Sequence, residues 1–109
     1  MDPRCVDVAD QLLLIERELR GLGWWAEVPP SADALASQAP FCVDTLAFEE
    51  WLQWIFLPRM KVILENDLGL PHASGIRVMA EEVYRERLTD VSRLLDALGA
   101  FDRLIGQAN

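Results

Sequence analysis

Apolar residues return every three or four positions over most of the chain, and nowhere do they alternate with polar ones in the two-residue rhythm of a strand. The clearest stripe is Val8, Leu12, Ile15, Leu19 and Leu22, with Cys5 extending it backwards. At about 100° per residue these positions share one face of a helix. Asp2 is placed to cap that helix, with Pro3 at its first position. Glu16 and Arg20 form an i,i+4 pair in the favourable order on another face. Gly21 and Gly23 end the element.

The pattern then lapses. Residues 24–44 read as a long connection in which Trp24 and Trp25 precede Pro29-Pro30, a pair that enforces extended backbone. Ser31 can cap one or two helical turns reaching Ser37, anchored by Leu35, before Pro40 breaks the chain again. A connection of this length is expected to be pinned by its aromatic rings.

From about Thr45 to Glu65 the helical period resumes, with Asp44 or Thr45 as the cap. Phe48, Trp51, Ile55, Pro58 and Val62 share one side of an ideal helix, flanked by Leu52 and Trp54. Pro58 has no N–H for the carbonyl of Trp54, which predicts a kink there or a break into two helices. The run Asn66 to Pro71 ends the element. Ser74 then caps a further helix with Ile76, Met79, Ala80, Val83 and Tyr84 inward and Glu81, Glu82, Arg85 and Glu86 in water. Thr89 or Asp90 starts a last one, striped by Val91, Leu94, Leu95, Leu98, Phe101 and Ile105 and closed by Gly106. The fold class is therefore all-α: a single domain, 1–109, built as a compact bundle of four principal helices plus one short helix in the first long connection.

Composition narrows the function. The 109 residues are 51% hydrophobic and 26% charged, a globular balance. Eighteen acidic residues against ten basic ones leave a net charge of −8, so direct nucleic-acid binding is not expected, because phosphates are neutralised by Lys and Arg. The apolar runs are far shorter than the ~20 residues a membrane helix needs. The N-terminus lacks the layout of a signal peptide. Cys5 and Cys42 lie apart, without a CxxC, and are expected as reduced, packed thiols rather than as a disulfide. A cytoplasmic protein is the expectation.

Familiar catalytic designs are not met. His72, the single His, lies between Pro71 and Ala73 in a loop, where an oriented Ser-His-Asp triad is not expected. One His also falls short of the two Glu-x-x-His pairs of a di-iron bundle. A Cys42–His72 pair is conceivable, but no spacing favours it. Gly21-Leu22-Gly23 neither follows a strand nor opens a helix, which removes a dinucleotide fingerprint. Glu49-Glu50 and Glu81-Glu82 point about 100° apart on a helix, as solvated or helix-start charges do. Neither catalytic residues, nor metal ligands, nor a cofactor site are expected.

What remains is Glu50-Trp51-Leu52-Gln53-Trp54-Ile55-Phe56-Leu57-Pro58-Arg59-Met60. Trp51 and Trp54 stand at i,i+3 and are neighbours. Arg59 falls on the apolar side, where a guanidinium needs a carboxylate such as Asp44 or an acid from another helix. If that pair locks the kink, removing Arg59 should cost roughly 2–4 kcal/mol. If Arg59 and Trp54 instead form a partner-binding patch, melting should hardly change while binding falls.

Trp25, Pro30, Ser37, Pro40-Phe41, Asp44-Thr45, Glu50-Trp51-Leu52-Gln53-Trp54, Pro58-Arg59-Met60 and Leu70-Pro71 resemble the YqcC family of small bacterial proteins. The likeness is dense over residues 25–71; outside them it is one of length and helical pattern. Doubling of the family's single Trp leaves Trp24 as a ring expected to be exposed. The resemblance implies a helical bundle. It carries over no catalytic residue, and leaves Trp25, Asp44, Trp51, Trp54, Pro58 and Arg59 as candidates for either partner binding or structure. It also implies a partner, since the family's genes often lie beside that of the C-type tRNA pseudouridine synthase. The leading expectation is thus a non-enzymatic accessory protein docking on the protein surface of such a synthase. The alternative is a helical carrier of a small apolar ligand, lined by aromatic and Met side chains.

Overall fold

In the computed structural model, which describes residues 2–106, the first stripe folds as α1 (Cys5–Gly21) with Val8, Leu12, Ile15 and Leu19 buried. The helix begins two residues later than Pro3, with Arg4 rather than Asp2 at the position before it, and Asp2 instead secures the turn that leads in. The Asp2 carboxylate accepts the Arg4 N–H at 2.8 Å and pairs with the Arg4 guanidinium at 2.8 Å. These bonds hold the Asp2 carboxyl near a pKa of about 2. Arg4 also donates to the carbonyls of Leu104 and Ile105, so the start of α1 satisfies the end of the last helix. At the other end Gly23, with φ of +77°, turns the chain so that Trp24 N–H reaches the Leu19 carbonyl at 2.9 Å.

The short helix α2 (Ala32–Leu35) forms as expected, with Ser31 Oγ accepting the Ala34 N–H. A 3₁₀ turn, Pro40–Cys42, follows. Asp44 and Thr45 cap no helix. Asp44 instead accepts from Ser37 Oγ, and Thr45 Oγ donates to the Ala34 carbonyl, which ties this stretch to α2. The next helix starts after Ala47, whose N–H is accepted by the Glu50 carboxylate at 2.8 Å.

That helix continues from α3 (Phe48–Trp51) through a π turn, Leu52–Phe56, into α4 (Leu57–Glu65). Neither alternative drawn from Pro58 is quite what occurs. Dihedrals at both ends of the π turn stay helical, and the Leu57 N–H bonds back five residues to the Leu52 carbonyl. The wide turn absorbs the missing proline donor without a break. It also changes which side faces in. Each residue of a π turn advances the helix by less than an α residue does, so everything after Phe56 lags the ideal wheel. Phe48, Leu52, Phe56, Leu57 and Met60 are therefore the buried side, whereas Pro58 and Val62 are exposed and Trp51 and Ile55 half-buried.

α5 (Ile76–Val83) buries Ile76 and Ala80, with Tyr84 just after it; Val83, expected inward, is exposed. Ser74 does not cap α5 itself. Asp102 of α6 (Ser92–Gly106) does so from across the bundle, accepting the Ile76 N–H at 3.1 Å, the Arg77 N–H at 2.9 Å and the Ser74 hydroxyl. α6 starts later than Thr89 or Asp90, yet its five stripe positions and Val91 just before it are all buried. α6 packs against α1 and α5, and α1 also meets α4. Arg77 crosses α6 at Gly99, where a Cβ would stand 2.9 Å from its side chain. Cys42 is buried and Cys5 half-buried, both free thiols.

Candidate functional site

Of the six residues nominated by sequence, Trp51, Trp54, Pro58 and Arg59 fall on different sides of the continuous 48–65 helix, and Trp25 and Asp44 lie in the connection before it. Trp25, Trp54 and Pro58 line a wide surface cleft of about 710 Å³, together with Gln53, Arg20 and Lys61. Trp51 and Arg59 line two grooves of about 330 and 380 Å³ that share Phe41 as a third wall. Asp44 lines none of these.

The wide cleft is held open by a residue that periodicity did not single out. Gln53 is 5% exposed, and its amide makes both bonds available at Ala26: Oε1 accepts the Ala26 N–H at 2.8 Å and Nε2 donates to the Ala26 carbonyl at 2.6 Å. This pair fixes the start of the long connection against the π turn and presents Trp25. The Arg20 guanidinium lies 4.5 Å from the Trp25 ring centre, a cation–π distance. Arg20 and Lys61 share one acid, Glu16, at 3.0 and 3.6 Å. Trp54 Nε1 is buried with no hydrogen-bond partner among the described residues.

Around the grooves the aromatic rings form a chain. Trp51 meets Phe41 edge-on at 4.8 Å and stacks near Phe48 and Phe56 at 5.9 and 5.5 Å; Phe56 meets Phe101 at 5.0 Å. At the far end Tyr84 packs on Phe48 and stacks on Trp24 at 5.1 Å. Trp24, expected exposed, is thus half-buried, with the Arg87 guanidinium 5.5 Å from its ring centre. The Tyr84 hydroxyl donates to Glu49 at 2.8 Å, and burial, then that carboxylate, push its pKa well above the usual phenol value. Phe41 and Cys42 sit at φ of +57° and +50°, two adjacent left-handed residues with full side chains. Such a conformation costs on the order of 1–3 kcal/mol per residue and persists only where the surroundings enforce it.

Arg59 overturns a pairing. It is exposed and forms no ion pair or hydrogen bond among the described residues, while Asp44 is bound to Ser37. The π turn is the reason, since the lag it introduces carries Arg59 out of the apolar side. Arg59→Ala is therefore expected to change unfolding free energy by no more than about 0.5 kcal/mol, as a surface substitution does; chemical denaturation checks it. His72 is exposed in its connection, and no hydrogen bond joins it to Cys42. Glu49 and Glu50 are spent on Tyr84 and Ala47 rather than converging. Among the described residues no group of three or more His, Cys, Asp or Glu is placed to hold a metal ion, and no helix is long and apolar enough to cross a membrane.

These features define a small all-α bundle whose distinguishing surfaces are aromatic clefts edged by cationic side chains. Comparison with known proteins makes the assignment specific. The DUF446 family model, described as tRNA pseudouridine synthase C, matches residues 7–104. The chain belongs to that family, the YqcC-like small bacterial proteins. A protein of Haemophilus influenzae named only as uncharacterized is 40% identical over 86 residues, covering 79% of this chain and 80% of that one. YqcC of Escherichia coli is 38% identical over 66 residues, 61% of each chain. Its solution NMR structure superposes with a TM-score of 0.85 at 29% identity, over 99% of this chain and 92% of that one. A protein of Pectobacterium carotovorum named tRNA pseudouridine synthase C is 48% identical over 66 residues, which are 61% of this chain and 18% of that longer protein.

Proposed function

We propose that this domain is a non-catalytic binding module that works beside a tRNA pseudouridine synthase of the C type. The observation that carries the reading is the match to 18% of a longer polypeptide bearing that name. Linkage in one chain gives two modules an effective concentration near millimolar, and a module of the same kind supplied in a separate chain would reach its partner by affinity. The chain's surface suits that task. Trp and Arg, the residue types enriched at binding hot spots, line its clefts. Its net charge of −8 favours docking on protein over docking on tRNA.

The test is co-purification of the chain with the synthase of its own organism, followed by tRNA modification assays with and without the chain. A stable complex at ~10 µM and a changed rate of pseudouridine formation are expected. Separate elution together with an unchanged rate would refute the reading. One observation favours a second reading, carriage of a small ligand: the cleft between Trp25 and Trp54, at about 710 Å³, has the size of a small-molecule site. Quenching of tryptophan fluorescence by an apolar dye, competed by extracts of the host, would speak for it.

A further inference from the structure

We infer that the paired grooves around Phe41, Trp51 and Arg59 are the docking site for a polypeptide segment of the partner that carries a carboxylate beside apolar side chains; this rests on the reading of the domain as a synthase-binding module. The two grooves share these three residues and so form one surface, with Phe41 as the ridge between them. Their other walls are apolar or uncharged: Ile55, Phe56, Met60 and Ile63 on the helix side, Pro40 and Pro71 on the loop side. Arg59 is the only charged side chain lining either groove among the described residues.

Charge decides the occupant. On a chain of net charge −8, Asp44, the acid the sequence offered as a partner for Arg59, is engaged with Ser37, no ion pair joins Arg59 to another acid among the described residues, and the guanidinium stands exposed at the rim. An isolated guanidinium bordered by apolar walls is complementary to one carboxylate flanked by apolar side chains, which it can grip with two parallel bonds. It is not complementary to a nucleic acid backbone, which calls for several cations in a row. The ridge is also pre-organised. Phe41 is held left-handed and edge-on to Trp51 before anything binds, so little ordering remains to be done on association.

The experiment has two arms on the whole 109-residue chain. In the first, random 16-residue peptides are displayed and selected against the wild-type chain, with counter-selection on Arg59→Glu. Arg17→Glu is the control, because Arg17 is exposed in a cleft with Arg93 and Asp96 that shares no residue with the two grooves. Selected peptides are expected to share Asp or Glu next to apolar residues. The best of them should lose at least about tenfold in affinity to Arg59→Glu and none to Arg17→Glu. Selection of basic peptides, or of peptides indifferent to Arg59, overturns the inference.

In the second arm the purified synthase is titrated with the same three proteins. Binding that falls about tenfold for Arg59→Glu alone supports the inference. Equal binding by all three overturns the groove assignment and leaves the synthase-binding reading standing. If the synthase binds none of them while the peptide motif is found, the synthase reading fails and the groove's specificity for acidic–apolar segments survives. Arg59-dependent binding of a tRNA transcript alone would overturn the assignment in favour of phosphate.

Discussion

Replacing Gln53 with Leu is expected to cost about 2–4 kcal/mol in unfolding free energy, although the substitution is apolar, close in size and sits at a buried position. The cost lies in what is left behind. Gln53 satisfies both the N–H and the C=O of Ala26, and Leu can satisfy neither. Each orphaned backbone group then loses its partner where water reaches poorly, while the gain from burying a slightly more apolar side chain is small. Gln53→Glu should be worse still. Its second carboxylate oxygen would face the Ala26 carbonyl, two acceptors at 2.6 Å in the place of a bond, and a charge would be placed at a buried position. Urea denaturation measures the effect, and amide exchange at Ala26 localises it. A loss below about 1 kcal/mol for Gln53→Leu would mean that the connection finds water or another partner. Trp25 should become more mobile in the same variant, since the Ala26 bonds are what place it over Arg20.

Asp102→Ala is expected to cost a similar ~2–4 kcal/mol, the sum of a lost helix cap and unsatisfied donors at a helix interface. Its carboxylate takes three donors, two of them the backbone N–H groups of Ile76 and Arg77 at the start of α5. A negative charge there also opposes the positive end of the α5 dipole favourably. Asp102→Asn, with its amide oxygen at the place of Oδ1, keeps the Ser74 hydroxyl and the Ile76 N–H but turns its NH2 towards the Arg77 N–H, so it should fall between wild type and Asp102→Ala. Ser74→Ala removes only one of the three bonds and should cost about 1 kcal/mol. Denaturation of the three variants should give that order. Faster exchange of the Ile76 and Arg77 amides relative to those in α1 would tie the loss to α5. If Asp102→Ala melts like wild type, α5 is held by the packing of Ile76, Ala80 and Tyr84 alone.

Both residues show why part of the site was not legible along the chain. Gln53 sits inside the most aromatic stretch and reads there as one polar position on a helix; nothing local says that its partner is Ala26, twenty-seven residues earlier. Ser74 looks like the cap of the helix after it, and nothing local points to Asp102, twenty-six residues beyond Ile76. The Ser74 assignment is locally sound and yields to a contact across the bundle. The π turn had a sequence signal in Pro58, but a missing donor can be accommodated by a kink, a break or a wide turn, and one residue type does not choose among them. That choice then moved Arg59 from the apolar side to the rim and divided the nominated residues: Trp25, Trp54 and Pro58 at one cleft, Trp51 and Arg59 at the other, Asp44 in neither. Phe41 could have been found as the aromatic after Pro40, yet its left-handed backbone has no signature in residue type.

By itself the sequence determined the all-α class, the placing of the main helices, the short helix behind Ser31 and the buried stripes of α1 and α6. These follow from the 3.6-residue period and from bonds spanning at most four residues, which the local order of side chains controls. The EWLQW and PRM stretches also carried the family. Only the tertiary structure decided the phase of the 48–65 helix, the partners of Gln53, Asp102 and Arg4, and the freedom of Arg59. Those depend on which surfaces meet, and a buried donor or charge takes its partner from whatever the packing brings within 3 Å, whether two residues away or a hundred.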